Sequence, residues 1–181
     1  MQYRQTEFQI RKKQIKPPLE ENDMSANIEH ARKQFNTLID MMNSNGLKFT
    51  KNEDNLSISS GFITEDIPVE YFIQIDAERE IAVFMSKLPF TMPEEKRVDG
   101  AIAVCVANNK GVTGAFDYDI ASGEIYYKMA VPFCGGVVLS QEVFHLLTFV
   151  GTSTINAYND KLYLISQGMM TVSDLIKQNN N

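Results

Sequence analysis

Apolar side chains first recur at helical spacing. Ile28, Ala31, Phe35, Leu38, Ile39 and Met42 form one stripe, as an amphipathic helix requires. Ser25 stands where an N-cap belongs, with a hydroxyl for free backbone N–H groups. Asn45-Gly46, both tolerant of positive φ, predict its end. The period then falls to two. Leu56 and Ile58 open a strand, and Gly61 is a candidate bulge. In "VEYFIQID" one face carries Val69, Tyr71, Ile73 and Ile75; in "EIAVFMSKL" one face carries Ile81, Val83 and Met85. "DAERE" (76–80) joins the two runs, too short for anything but an antiparallel hairpin.

Pro93, Glu94 and Glu95 open a second helix, where proline fits the first turn and acids favour the dipole. Its body, "RVDGAIAVCVANN", is built of small residues, and Gly100 in it predicts close packing on a sheet. A second hairpin follows. Phe116, Tyr118 and Ile120 alternate with Asp117 and Asp119; after the turn "ASG", Ile125, Tyr127, Met129 and Val131 alternate with Tyr126, Lys128 and Ala130. One face is buried and one solvated. Pro132 ends the second strand. A third helix starts at Ser140 with Val143, Leu146, Leu147 and Val150 inward, and runs toward Ala157, Gly151 offering a place to break it. Further helical pieces are predicted at Leu162–Ser166 and in "TVSDLIKQ". The order α-β-β-β-α-β-β-α predicts an α+β two-layer domain, an antiparallel sheet with helices on one side.

Length and composition bring in the outer limits. A chain of 181 residues, 44% hydrophobic and 22% charged, is one ordinary globular domain with or without a tail. We divide it into a basic, mobile arm over 1–23 and a single domain over 24–181. Five basic side chains against one acid give 1–19 a charge of +4, which leaves −10 for the rest. An acidic body repels phosphates and argues against nucleic acid, although the arm offers a patch for RNA or an acidic partner. The apolar runs "AIAVCVA" and "VFHLLTFVG" are about half, or less, of the roughly 18 residues a membrane helix needs. The N-terminus has no apolar stretch behind its basic residues, so a cytoplasmic protein is expected.

Candidate chemistry is sparse. There is no phosphate loop, no dinucleotide fingerprint and no nucleophile elbow, and no cofactor is implied. His30 and His145 each stand alone on a helix, without the second ligand a zinc site needs. Asp117 and Asp119 are two carboxylates on one strand face; they keep that face soluble, and they are too few for calcium. Cys105 reads as a small buried hydrophobe and Cys134 as a loop thiol. No catalytic or metal-binding residue is assigned.

Three segments resemble one family: the N-terminal helix leading to "NGLKF", then "IPVEYFIQIDAEREIAVFMS", then "LPFTMPEEKRVDGAIAVCVANNKGVTGAFDYDIASGEIYYKMAVPF". In order and spacing they are similar to the YbjN family of bacterial proteins, labelled sensory transduction regulators. The most specific part runs from Asn108-Asn109 through Gly114–Asp119 to Ser122-Gly123-Glu124-Ile125. The resemblance covers roughly Ser25 to Ile165. It implies a fold like that of the small homodimeric type III secretion chaperones, a non-enzymatic role and no catalytic residue.

Two functions remain. The first is a protein-interaction module, chaperone-like or regulatory, binding a protein segment and forming a homodimer. With Tyr71, Ile73, Val83, Met85 and Tyr127 inward, Phe72, Phe84 and Tyr126 point outward as an aromatic partner-binding patch, unless the arm or the tail covers them. The second is a small-molecule sensor or enzyme with a scattered site near Cys134 and His145.

Overall fold

A computed structural model describes residues 21–64, 67–109 and 111–180. The predicted basic arm over 1–23 falls almost wholly outside them. Helix α1 spans Glu21–Ser44, so Ser25 lies inside the helix and is not its cap; the four helical residues ahead of it, Glu21, Asn22, Asp23 and Met24, include no glycine or proline to stop a helix. At the other end the Leu47 N–H closes on the Met42 carbonyl at 2.9 Å, beside Gly46.

Among the described residues, six strands form one antiparallel sheet: β1 Thr50–Asn52, β2 Ser57–Ile63, β3 Pro68–Asp76, β4 Ile81–Thr91, β5 Gly114–Asp119 and β6 Glu124–Pro132, in the order β1-β2-β3-β4-β6-β5. β1 is polar and three residues long, and carries no hydrophobic period to announce it. The ladder runs unbroken through Gly61. The irregularity lies instead in β4, between Lys87 and Thr91, where Pro89 has no N–H for a ladder.

Helix α2 (Arg97–Asn108) follows one 3-10 turn, Glu94–Lys96. A Cβ on Gly100 would lie 2.7 Å from Met92 and 3.0 Å from the Tyr118 hydroxyl, so only glycine allows this approach. Cys105 is exposed, contrary to the sequence reading. The buried stripe of α2 is Gly100, Ala103, Val104 and Ala107, and Cys105 falls on the other side. Helix α3 is continuous from Gln141 to Ser166, capped by the Ser140 hydroxyl, and α4 spans Val172–Asn180. No break occurs at Gly151: this glycine seats α3 on the sheet, where a Cβ would lie 2.7 Å from the Phe84 ring.

The core lies between the helices and one sheet face. Ile58, Val69, Tyr71, Ile73, Ile75, Phe116, Ile125 and Tyr127 are buried in it. In β4 the buried residues are Ala82, Phe84, Ser86 and Leu88, the opposite set from Ile81, Val83 and Met85. Asp76 pairs with Ile81 across a four-residue turn, so Ile73 stands opposite Phe84 and Phe72 opposite Met85. A pairing that counts Asp76 into the turn is one residue out, and a one-residue slip exchanges the faces of a strand. Phe84 is therefore not an outward, partner-facing residue: it is 0% exposed, stacked 5.0 Å from Tyr71. Ile120 belongs to the second turn and is 55% exposed. Leu146 points away from the sheet, and Phe144 takes the inward place.

Candidate protein-binding surface

The second face of the sheet has no described helix against it. Cross-strand register puts Phe72 beside Met85, and Met85 beside Lys128. Gln74 pairs with Val83 and Val83 with Ala130. Phe72, Val83 and Met85 are half-buried by one another and by their strands, a modest apolar patch.

Its neighbour is a polar cluster around Tyr126, which stands opposite Lys87. The ring lies between two ammonium groups, Lys87 at 5.7 Å and Lys128 at 5.5 Å from its centre, a favourable placement over an aromatic face. The Tyr126 hydroxyl donates to Glu124 at 2.6 Å, and Lys87 also donates to that carboxylate. Lys128 donates to Asp117 at 2.6 Å. These contacts hold the Glu124 carboxyl below the usual range, first through Lys87 and then through Tyr126. The same carboxylate raises the Lys87 ammonium and the Tyr126 phenol. The charges are thus paired within the cluster, which leaves Phe72, Val83 and Met85 as the groups without polar commitments.

The apolar patch continues into an open concavity of about 1120 Å³. Residues before and in β1, the middle of β2, the start of β3 and the irregular end of β4 form it, with Phe49, Glu70, Phe72, Lys87 and Phe90 among its walls. The departure of β4 from regular pairing at Pro89 shapes one side.

Of the predicted partner residues, Phe72 and Tyr126 share this outer face, while Phe84 is in the core. Asp117 and Asp119 are separately engaged: Asp117 with Lys128, Asp119 with the Ala121 N–H (2.9 Å) and the Ser122 hydroxyl (2.8 Å). Among the described residues no group of three or more His, Cys, Asp or Glu is placed to hold a metal. His145 lies 6.3 Å from the Phe149 ring and lines a crevice of about 240 Å³ with Met41, Asn45, Gln141 and Glu142. Cys134 sits in the turn after Phe133 and does not line that crevice.

One polar residue escaped sequence reasoning. Gln34 is wholly buried; its amide donates to the Val137 carbonyl (2.9 Å) and accepts from the Leu139 N–H (2.8 Å). It ties α1 to the segment between β6 and α3. Beside it His30 meets the Phe133 ring edge-on at 5.3 Å and Glu80 at 3.8 Å. Glutamine on an apolar stripe was the available signal.

No family model and no curated protein matches the chain. Solved structures similar to it include the following two. One is YbjN, a candidate transcription regulator from E. coli, at a TM-score of 0.52 and 12% identity, over 74% of this chain and 92% of that one. The fold is YbjN-like. The other is a chain from the HopA1–SchA chaperone–effector complex, at a TM-score of 0.46 and 12% identity, over 79% of this chain and 99% of that one. At this identity the likeness to YbjN speaks of architecture, in agreement with the α+β arrangement of sheet and helices. Among the described residues no helix is long and apolar enough to cross a membrane.

Proposed function

We propose that the chain is a non-enzymatic, cytoplasmic protein-binding module, chaperone-like or regulatory, which receives a segment of a protein partner on the outer face of its sheet. The observation that carries this reading is the apolar pair Phe72–Met85, left open beside a concavity of about 1120 Å³. Apolar patches with polar rims mark interaction sites. Tyr126 borders the patch and contributes an aromatic surface already oriented by Glu124. The test is the double variant Phe72→Ser with Met85→Ser. Proteins captured by the wild type and lost by this folded variant, yet kept by the control Leu146→Ser with Phe149→Ser, support the sheet face. Equal capture by all three rejects it.

Self-association is a second reading, favoured by α2. Val98 and Ile102 are 67% and 46% exposed, and Cys105 continues their line at i+7. Two copies joined with their α2 helices parallel across this stripe bring their Cys105 thiols together. Mild oxidation then yields a crosslinked dimer that Cys105→Ser abolishes and Cys134→Ser keeps. A wild type that stays monomeric under the same oxidation removes this parallel pairing.

A further inference from the structure

Among the described residues, strand β5 closes one edge of the sheet and pairs only with β6. In an antiparallel pair, alternate residues turn both backbone groups away from the neighbour. On an edge, those groups are a template for a further strand. Phe116 is such a residue, and its outward groups are occupied. Asn108, the last residue of α2, reaches around the end of its helix to meet them. The Phe116 N–H donates to Asn108 Oδ1 at 2.8 Å, and Asn108 Nδ2 donates to the Phe116 carbonyl at 2.9 Å. A primary amide offers one acceptor and one donor side by side. That is what the residue of a neighbouring strand offers in a doubly bonded antiparallel pair. For the length of one residue, Asn108 stands in for a seventh strand.

The position of this contact matters. Gly114, Phe116 and Tyr118 alternate along β5, and Asn108 takes the middle of the three. No continuous run of free backbone groups is left. The opposite edge is built differently: β1 has three residues, all exposed and polar, which cover Ser57–Ser59 of β2, and very short edge strands template poorly. β5 is longer, and Phe116 and Tyr118 give it aromatic weight on its inner side. Exposed Asp117 and Asp119 on its outer side would bring like charges together if two copies paired antiparallel. Lys128 already holds the Asp117 charge, so the acids alone are a weak barrier.

We propose that Asn108 is an edge guard: its amide denies β5 to the same strand of a second copy of this chain, and the core does not depend on it. In the wild type, the Phe116 amide should exchange with solvent about tenfold or more slowly than the Tyr118 amide two residues on, because among the described residues only the first has a hydrogen-bond partner. In Asn108→Ala the far-UV spectrum should be kept. Sedimentation of the full chain under reducing conditions, which exclude disulfides through Cys105 and Cys134, should show a dissociation constant for self-association lower by about tenfold or more. A Phe116 amide that exchanges as fast as that of Tyr118 overturns the proposal. So does a folded Asn108→Ala that associates no more than the wild type. Loss of the fold in Asn108→Ala overturns it too, since the residue would then be holding the core.

Discussion

The two hairpins of this sheet look alike in outline. Each has an aspartate at the end of its first strand, a four-residue turn, and a second strand resuming five residues after the aspartate: Asp76 to Ile81 and Asp119 to Glu124. In each, the aspartate carboxylate accepts a backbone N–H within the turn, from Arg79 at 2.9 Å and from Ala121 at 2.9 Å. Yet alternation identifies the buried faces of β5 and β6 and misidentifies that of β4. In β5 and β6 the wet face is labelled by Asp117, Asp119, Lys128 and the polar end of Tyr126. In β4, Ile81, Val83 and Met85 compete with Ala82, Phe84 and Leu88, and hydrophobicity alone does not separate them. There the turn decides, and including or excluding Asp76 exchanges the faces. Alternation that is chemically lopsided tolerates an error of one residue in the turn; alternation that is apolar on both sides does not.

The sharpest way to break this comparison is in β4. Phe84→Ala removes a fully buried ring between Tyr71 and Tyr127, and such changes cost about 3–5 kcal/mol. Met85→Ala, on the open face, should cost about 1 kcal/mol or less. Denaturant midpoints measure both; equal losses would mean that β4 has no preferred face. The same contrast in β5 uses Phe116→Ala, again about 3–5 kcal/mol, against Asp117→Ala. The latter loses an exposed ion pair worth about 0–1 kcal/mol. If Asp117→Ala matched Phe116→Ala, the clear labelling of this hairpin would be an illusion.

Gly151→Ala tests why Phe84 and not Met85 faces the helices. Alanine raises helix propensity by about 1 kcal/mol, but its Cβ would press on the Phe84 ring, and overpacking costs about 1–3 kcal/mol. We expect a net loss of about 1 kcal/mol in thermal unfolding, and a stabilised variant would show that α3 does not sit on that ring. The smallest effect belongs to the wet face of β6. Glu124 is held below the ordinary Glu value of about 4.3 by Lys87 and Tyr126. Its folded value is the lower one, so its small contribution to stability is present above the ordinary value and lost as pH falls through the lowered one. Following the Glu124 carboxyl by NMR, Lys87→Met should return it toward the ordinary range; an unchanged midpoint would exclude Lys87 as the main cause.

What the sequence determined by itself is what depends on near neighbours. Ser140 caps α3, Asn45-Gly46 ends α1, Pro132 ends β6, and the charges on β5 and β6 sort their faces. The α+β order of elements follows from these local periods. Tertiary structure alone decided the rest. The face of β4 depends on pairing with β3 and on the approach of Gly151, 67 residues from Phe84. The exposure of Cys105 depends on which stripe of α2 meets the sheet. The Gln34 contact with Leu139 spans 105 residues, and the reach of Asn108 to Phe116 requires β5 to be an edge, which strand order sets and no local pattern records. Hydrogen bonds and burial reward whichever groups the chain brings together, and a short window of residues does not contain the partner.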